Sequence, residues 1–296
     1  MTDATAEPSR EQKQLFPGEQ FISTVLDALE TKTAMSGKLA RVYIMRAAMA
    51  GALIGVMYLT YYAVIAAFAG IGTGDLAAIG QIVGALVFGF ALVFIYFSKS
   101  ELLTSNMMIV SIGAYYRKTT ALRSLRILGL CYGGNFVGGL AIALMVAGSS
   151  ILSGEVGVQM AAGVEHKLAY VADGASGWLD LFLRAVLCNF MINLAMLLVY
   201  NGRIRDDLTA SIAMIMSVFV FAFVGFEHSV ANTVVFTIEA LSGGLDYGLA
   251  LGNLGIVLLG NFVGGGVLIG WYYAYANDAR RLMRKRKTSA GDQQAA

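Results

Sequence analysis

The residues of this chain that could do chemistry are polar side chains inside long apolar stretches. His228 stands out because it is one of only two histidines and lies within an apolar run, directly after Glu227. An imidazole exchanges a proton readily near neutral pH, and ionisable groups inside a membrane usually mark a pathway. The alternative is a neutral histidine that bonds to Thr104 and holds a loop in place. We favour a histidine that takes part in moving an acid or a proton.

Two polar segments recur at a fixed separation of 126 residues. Residues 101–106 (ELLTSN) return in outline as residues 227–232 (EHSVAN), and residues 134–139 (GNFVGG) return letter for letter as residues 260–265. Two independent matches at one separation indicate an internal duplication. In membrane transporters built from repeats, substrate sites form where such polar segments interrupt apolar helices.

The composition predicts a helical membrane protein with one membrane domain. Hydrophobic residues make up 57% of the 296 residues and charged residues only 14%, which is too little charge for an ordinary soluble domain. Several apolar runs exceed the length of about 18 residues that marks a membrane-spanning helix. Both cysteines lie inside apolar runs, so we expect buried thiols rather than a disulfide framework.

The chain divides into four segments along its length. We expect a flexible tail over residues 1–18, an amphipathic helix on the membrane surface over 19–36, a transmembrane domain over 37–277 and a basic tail over 278–296. Six spans are predicted near residues 40–69, 76–115, 125–150, 178–200, 208–241 and 250–276. The second and fifth spans are predicted to be broken, at 98–105 and 225–229.

Basic residues are concentrated in the connections of one side. Residues 116–126, 201–207 and the C-terminal tail carry Lys and Arg, whereas residues 70–75 and 242–249 carry none. The positive-inside rule therefore predicts that both termini are cytoplasmic. Three spans in each repeat then place the second copy upside down relative to the first. The two broken helices should face each other at the midplane, where half-helix N-termini favour an anion.

Four charged residues lie near the predicted breaks or on the outer side. Glu101 and Glu227 are expected to be structural, by neutralising local charge or bonding the N–H groups of the breaks. Lys99 is expected to be the ion-pair partner of Glu101, with a positive bias on the path as the alternative. Lys167 is either a cation that raises the local anion concentration or an ordinary interfacial lysine that snorkels.

Two asparagines occupy matching positions in the repeated GNFVGG motif. The glycines of this motif allow close contact between helices. Asn135 and Asn261 could satisfy backbone carbonyls that a neighbouring break leaves free, or they could simply hold helices together.

These motifs resemble those of the formate/nitrite transporter family, which includes formate, nitrite and hydrosulfide channels. The resemblance covers about residues 20–275 and rests on residues 101–106, 225–232 (GFEHSVAN), 166–167 (HK) and 260–265. It implies an all-α, aquaporin-like protomer with six transmembrane helices in an inverted 3+3 repeat. It also implies assembly as a homopentamer in which each protomer has its own pore.

The resemblance further implies roles for single residues. His228 would be the central histidine, Thr104 its loop partner, Lys167 the outer lysine and Asn261 the asparagine near the histidine. The outer constriction would be lined by Phe88, Leu92 and Phe221, and the inner one by Leu102 and Leu103. Leu103 replaces a bulkier aromatic found in some relatives, and Lys99 stands where small residues are usual.

The function expected from these observations is transport of a small monovalent anion across the cytoplasmic membrane of a prokaryote. A bare charge is very costly in an apolar constriction, so the anion should gather near Lys167 and pass as the protonated acid. The proton would come from water or from His228. Formate and nitrite are favoured; lactate, acetate or hydrosulfide are alternative cargoes.

Two other classes of function are weaker interpretations. A neutral-solute channel for water, glycerol or ammonia would gain nothing from the cation at Lys167. An enzyme or redox subunit is disfavoured because haem ligation usually needs paired intramembrane histidines, and no metal-type cluster stands in the sequence. We expect no cofactor, no metal and no nucleic acid; the expected partners are the anion, the lipid bilayer and further copies of the chain.

Overall fold

The computed structural model describes residues 14–71 and 76–280, and for Ala77 its backbone only. Every regular element in this part of the chain is a helix. The helices are α1 (Glu19–Lys38), α2 (Ala40–Ala69), α3 (Ala77–Phe88), α4 (Phe90–Phe97), α5 (Leu103–Tyr115), α6 (Ala121–Ala147), α7 (Glu155–Ala172), α8 (Gly174–Tyr200), α9 (Asp207–Val224), α10 (Ser229–Ser242), α11 (Tyr247–Asn261), a π-helical segment (Phe262–Trp271) and α12 (Tyr272–Ala276). Most of the predicted tails, 1–18 and 278–296, lies outside the described residues.

Six spans within the described residues are long and apolar enough to cross a membrane. They are α2, α3 with α4, α6, α8, α9, and the run from α11 through α12. The 30 residues of α2 make it about 45 Å long, more than the hydrocarbon thickness of about 30 Å. Their number and order agree with the prediction. The second and fifth spans, predicted over 76–115 and 208–241, are long and apolar enough only over Ala78–Phe97 and Asp207–Val224, before the breaks.

The two halves of the chain pack in matching ways. Gly138 of α6 lies so close to α2 that an added Cβ atom would be 1.7 Å from the carbonyl oxygen of Ala48. In the second half, a Cβ atom on Gly264 would be 2.0 Å from the carbonyl oxygen of Val186 on α8. Only glycine allows this approach, because it has no Cβ. The all-α fold with two three-span repeats is confirmed.

Both predicted helix breaks are present. The first covers residues 98–102, between α4 and α5, and is shorter than the predicted 98–105. The second covers residues 225–228, between α9 and α10, against the predicted 225–229. The first break is shorter because Leu103 already belongs to the first turn of α5, where its N–H bonds to a side chain.

Helix α1 packs on the protein's own helices. Its apolar stripe, which was predicted to meet the membrane surface, is buried within the protein: Phe21, Ile22, Val25 and Leu29. The Gly18 N–H donates to Asn277 Oδ1 at 2.7 Å, which ties the start of α1 to the end of the last span. The helix is also slightly longer than the predicted 19–36.

Helix α7 lacks the apolar signal of a spanning helix and lies over α2, α8 and α11. Gly163 makes this contact possible, because a Cβ atom there would be 2.2 Å from the hydroxyl oxygen of Tyr62 on α2. The close approach carries Lys167, one helical turn further on, into the interior.

Candidate functional site

Three cavities follow one another along the span formed by α3 and α4. The first, which we name the α7 vestibule, has a volume of about 290 Å³ and is lined by Gln81 and Lys167 among others. The second, the constriction, has only about 20 Å³. The third, the α1 vestibule, has about 290 Å³ and is lined by Lys32 and Lys99. From Gln81 to Phe97, α3 and α4 together rise about 24 Å, most of the thickness of a bilayer core.

The constriction is apolar except for one imidazole. Phe88 and Phe221 line both the constriction and the α7 vestibule, with ring centroids 6.0 Å apart. Leu92 and Leu102 line both the constriction and the α1 vestibule. Leu92 therefore belongs to the boundary with the α1 vestibule, not to the outer group implied by the resemblance. Leu103 is buried and lines none of these three cavities.

His228 is held in one orientation by the helix that follows it. It is the N-cap of α10, and its Nδ1 accepts hydrogen bonds from the N–H groups of Val230 (3.1 Å) and Ala231 (3.2 Å). An accepting ring nitrogen carries no hydrogen, so the neutral imidazole carries its hydrogen on Nε2. Nε2 lies 3.3 Å from Thr104 Oγ1. The imidazole thus presents an N–H group at the point where α5 and α10 begin.

The sites of Asn135 and Asn261 are almost identical. Asn261 Nδ2 donates to the carbonyl oxygens of Ala185 (2.8 Å) and Glu227 (2.9 Å), and its Oδ1 accepts from Ser229 N–H at 2.9 Å. Asn135 Nδ2 donates to matching carbonyls on α2 and in the first break, both at 2.8 Å, and its Oδ1 accepts from the first N–H of α5 at 3.1 Å. Both asparagines are fully buried. Their amides satisfy the backbone of the breaks and do not line the cavities.

Each break also carries a glutamate that is bound by a lysine and an asparagine. Glu227 accepts from Lys167 Nζ at 2.8 and 2.9 Å and from Asn232 Nδ2 at 2.6 Å. Neither alternative for Lys167, the lone cation or the snorkelling interfacial lysine, describes it, because its ammonium is buried and paired with a carboxylate. His166 beside it is exposed and bonds to the hydroxyl of Tyr170 at 3.1 Å.

The first break repeats this arrangement with a lysine from α1. Glu101 forms a salt bridge with Lys32 and accepts from Asn106 Nδ2 at 3.2 Å. The predicted ion pair between Lys99 and Glu101 is wrong. Lys99 turns away and lies over the ring of Tyr96, with Nζ 4.9 Å from the ring centroid.

Two residues important to the site are missing from the sequence prediction. Asn189 and Asn193 of α8 are fully buried and donate to the carbonyl oxygen of Thr104 at 3.1 and 3.2 Å. Asn189 also donates to the carbonyl of Asn261 at 2.7 Å, where the π-helical segment begins. Two asparagines four residues apart in an apolar span share one helix face, and that spacing is a usable signal. The pairing of Lys32 with Glu101 was missed as well, because the sequence of α1 looks like that of a surface helix and gives no sign of this contact.

The described residues contain no group of three or more His, Cys, Asp or Glu side chains that could hold a metal ion. Cys131 and Cys188 are buried and unpaired, as expected. The polar groups in and beside the three cavities include hydrogen-bond donors and paired charges. Such groups can bind and orient a small acid or its anion.

Comparison with known proteins places the chain among transport proteins. A family model described as "Formate/nitrite transporter" matches residues 19–275. The formate channel FocA of Haemophilus influenzae is 30% identical over 251 residues, covering 76% of this chain and 83% of that protein. A probable formate transporter of Methanothermobacter thermautotrophicus is 30% identical over 221 residues, covering 69% of this chain and 80% of that protein.

Solved structures show the same fold. One described as an FNT family ion channel is 24% identical and has a TM-score of 0.75, covering 87% of this chain and 99% of the other. One described as a pentameric formate channel with formate bound is 25% identical and has a TM-score of 0.64, covering 80% of this chain and 96% of the other. With more than half of its length matched by the family model, this chain belongs to the formate/nitrite transporter family.

Proposed function

We propose that this protein carries a small monovalent acid, with formate and nitrite as the favoured cargoes, across a cytoplasmic membrane in its neutral form. One observation carries the proposal: two vestibules that contain charged side chains are separated by an apolar constriction whose polar group is the imidazole of His228. The relatives described as formate channels support the choice of cargo.

The anion would first enter a vestibule in which a lysine has a donor to spare. Two hydrogens of the Lys167 ammonium point to the carboxylate oxygens of Glu227, and an ammonium has three. Asn232 also donates to this carboxylate, which holds the Glu227 side chain in place. The third ammonium hydrogen is then free to meet an incoming carboxylate or nitrite oxygen.

The constriction would then admit the acid rather than its anion. A cavity of about 20 Å³ has room for about one water molecule, so a permeating anion would lose its hydration shell. Burial of a bare charge among apolar side chains is very costly, whereas a neutral acid crosses such a region at far smaller cost. The falling local dielectric on the way into the constriction favours protonation of the anion.

The proton would come from water rather than from His228. If the ring gave up its Nε2 hydrogen, an imidazolate would remain, because Nδ1 is already an acceptor for two backbone N–H groups. Protonation at Nδ1 would break both bonds and set a positive charge against the positive end of α10. His228 would instead donate a hydrogen bond from Nε2 to the passing acid, in place of its contact with Thr104 Oγ1 at 3.3 Å.

Orientation and assembly complete the proposal. The positive-inside rule supports an orientation in which the α1 vestibule would open to the cytoplasm and the α7 vestibule to the outer side. The pentameric neighbour supports a homopentamer with one pathway in each protomer. Exposed apolar side chains on the spans would then face either lipid or the adjacent protomers.

The test is uptake into proteoliposomes from a panel of formate, nitrite, acetate, lactate, hydrosulfide and glycerol at two external pH values. Formate uptake should rise by about tenfold for each unit by which the external pH is lowered, because the concentration of the neutral acid rises by the same factor. His228→Asn should keep this pH dependence, because an amide N–H can replace the ring N–H, and His228→Leu should lower the rate. Formate flux equal to that of empty liposomes would overturn the proposal. Faster entry of glycerol than of any acid would favour the neutral-solute channel.

A further inference from the structure

The two vestibules differ in charge. The α1 vestibule is lined by Lys32, Arg46 and Lys99 against a single carboxylate, Glu101. The charged pair in the lining of the α7 vestibule is one lysine and one glutamate, which bind each other. The α1 vestibule therefore has an excess of positive charge.

Two of its cations are not neutralised. Lys32 is paired with Glu101, whereas Arg46 contacts a methionine sulfur at 3.4 Å and Lys99 lies over the ring of Tyr96. Within residues 14–71 and 76–280, neither Arg46 nor Lys99 forms a salt bridge with a carboxylate. In the second repeat the equivalent arginine is Arg184, because the carbonyls of Arg46 and Arg184 accept from the N–H groups of the two break glutamates at 3.2 and 3.4 Å. Arg184 is paired with a carboxylate on its own helix at 2.9 Å. The free cations are thus a property of the α1 side.

The backbone at Lys99 has a conformation that favours glycine over a lysine. Lys99 has a φ of 55°, and the residue 126 positions later is Gly225, with a φ of 81°. The amide after each of them closes the same turn, onto a carbonyl five residues back at 3.0 and 2.9 Å. Glycine takes this left-handed conformation without strain, whereas a side chain is strained there. The first repeat therefore has a lysine where the second repeat has glycine, the residue that this turn favours.

We propose that Lys99 and Arg46 form an anion-binding site in the α1 vestibule, which holds a monovalent carboxylate before it enters the constriction. The inference rests on the proposed function for the identity of the anion and for the side of the membrane. Tyr96 supports the lysine stem and ammonium, and the cavity of about 290 Å³ has room for a small carboxylate with water. Because the site precedes the apolar barrier, it sets the concentration at which entry from this side half-saturates.

The chain offers a closely matched pair of variants for the test. Lys99→Gly removes the charge and gives the turn the residue found at Gly225, so it should fold at least as well as the wild type. Arg117→Gly is the control, since Arg117 also has a positive φ, 57°, lies on the same side of the molecule and is outside the lining of all three cavities. Lys99→Arg keeps the charge.

The first measurement compares inverted and right-side-out membrane vesicles. In inverted vesicles, which present the α1 vestibule to the medium, Lys99→Gly should raise the half-saturating formate concentration by about three- to tenfold, the effect of one charge a few ångströms away in a partly wet cavity. Arg117→Gly and Lys99→Arg should stay within about twofold of the wild type. Right-side-out vesicles should show no change with Lys99→Gly. An equal shift in Lys99→Gly and Arg117→Gly would overturn the proposal.

The second measurement does not depend on transport. Acetylation of Lys99 in the detergent-solubilised wild type is followed by peptide mass spectrometry, with formate as the probe and the exposed Lys118 as the internal reference. Bound formate should slow the acetylation of Lys99 and leave that of Lys118 unchanged. If formate slows both equally or neither, the site is absent, whether or not the protein transports formate. A wild type that shows this protection but carries no formate would contradict only the proposed function.

Discussion

Replacement of Asn261 by alanine tests how the helix breaks are held. The amide makes three hydrogen bonds of 2.8, 2.9 and 2.9 Å, two to backbone carbonyls and one from a backbone N–H, and it is fully buried. A buried hydrogen bond contributes about 1 kcal/mol net, and lipid offers no replacement partner, so the loss should be about 3 kcal/mol. With an unfolding entropy of about 2.1 cal/mol/K per residue, that corresponds to a fall in melting temperature of about 5 °C for a chain of 296 residues.

Thermal unfolding of the detergent-solubilised protein measures this effect. Asn135→Ala should cost about as much, because Asn135 makes the equivalent three bonds at the other break. The double variant should show the sum of both losses, since the two amides share no partner. Asn201→Ala is the control, because the Asn201 side chain bonds to none of the described residues. A melting temperature of Asn261→Ala within about 2 °C of the control would refute the view that this amide holds the break.

Three further predictions concern packing, charge and pH. Gly138→Ala should strongly destabilise the protein because its Cβ would lie 1.7 Å from a carbonyl oxygen, whereas Gly129→Ala on the same helix meets nothing within 4 Å and should be neutral or stabilising; detergent melting curves compare the two. Glu227→Gln should cost about 3–5 kcal/mol by leaving Lys167 buried without a carboxylate, and adding Lys167→Met should recover much of that stability. Burial raises the pKa of Asp278, but the hydrogen bonds and charge of the neighbouring guanidinium outweigh it and hold that pKa below its usual value. The wild type should therefore be more stable than Asp278→Asn above about pH 4, and this difference should vanish as the pH falls through the lowered pKa. Melting temperatures of both proteins over a series of pH values measure it.

The spans and breaks could be predicted because their signals are local. Apolar length marks a span, and a polar segment such as 227–232 inside it marks a break. The internal duplication also predicted how the two halves of the chain are related, because it can be recognised without any knowledge of the structure. The first break was predicted to be too long because the polar Thr104 and Ser105 look like part of the interruption in sequence, whereas residues 103–105 already form the first turn of α5.

The partners of the charged residues could not be predicted, because they depend on packing between distant helices. Lys99 is two residues from Glu101 and is the nearest cation in sequence, but the left-handed turn at Lys99 directs its side chain to Tyr96. Glu101 is instead paired with Lys32, which is 69 residues away and reaches it only because α1 packs on the protein. The hydrogen bonds from α8 to the carbonyl of Thr104 could not be predicted for the same reason, because they join helices that are distant in sequence.

The comparison of the two repeats separates the residues that hold the fold from those that can do chemistry. The asparagines and glutamates of the breaks are the same in both copies and bind the same kinds of backbone and side-chain partners. His228 and its copy Leu102 have nearly the same backbone angles, φ −113° and −108°, ψ 118° and 129°, yet one is polar and the other apolar. Two imidazoles would bring water into the constriction, and two leucines would leave a passing acid without a donor. One of each keeps the constriction apolar and still offers one hydrogen-bond donor there, as the proposed transfer of a neutral acid requires.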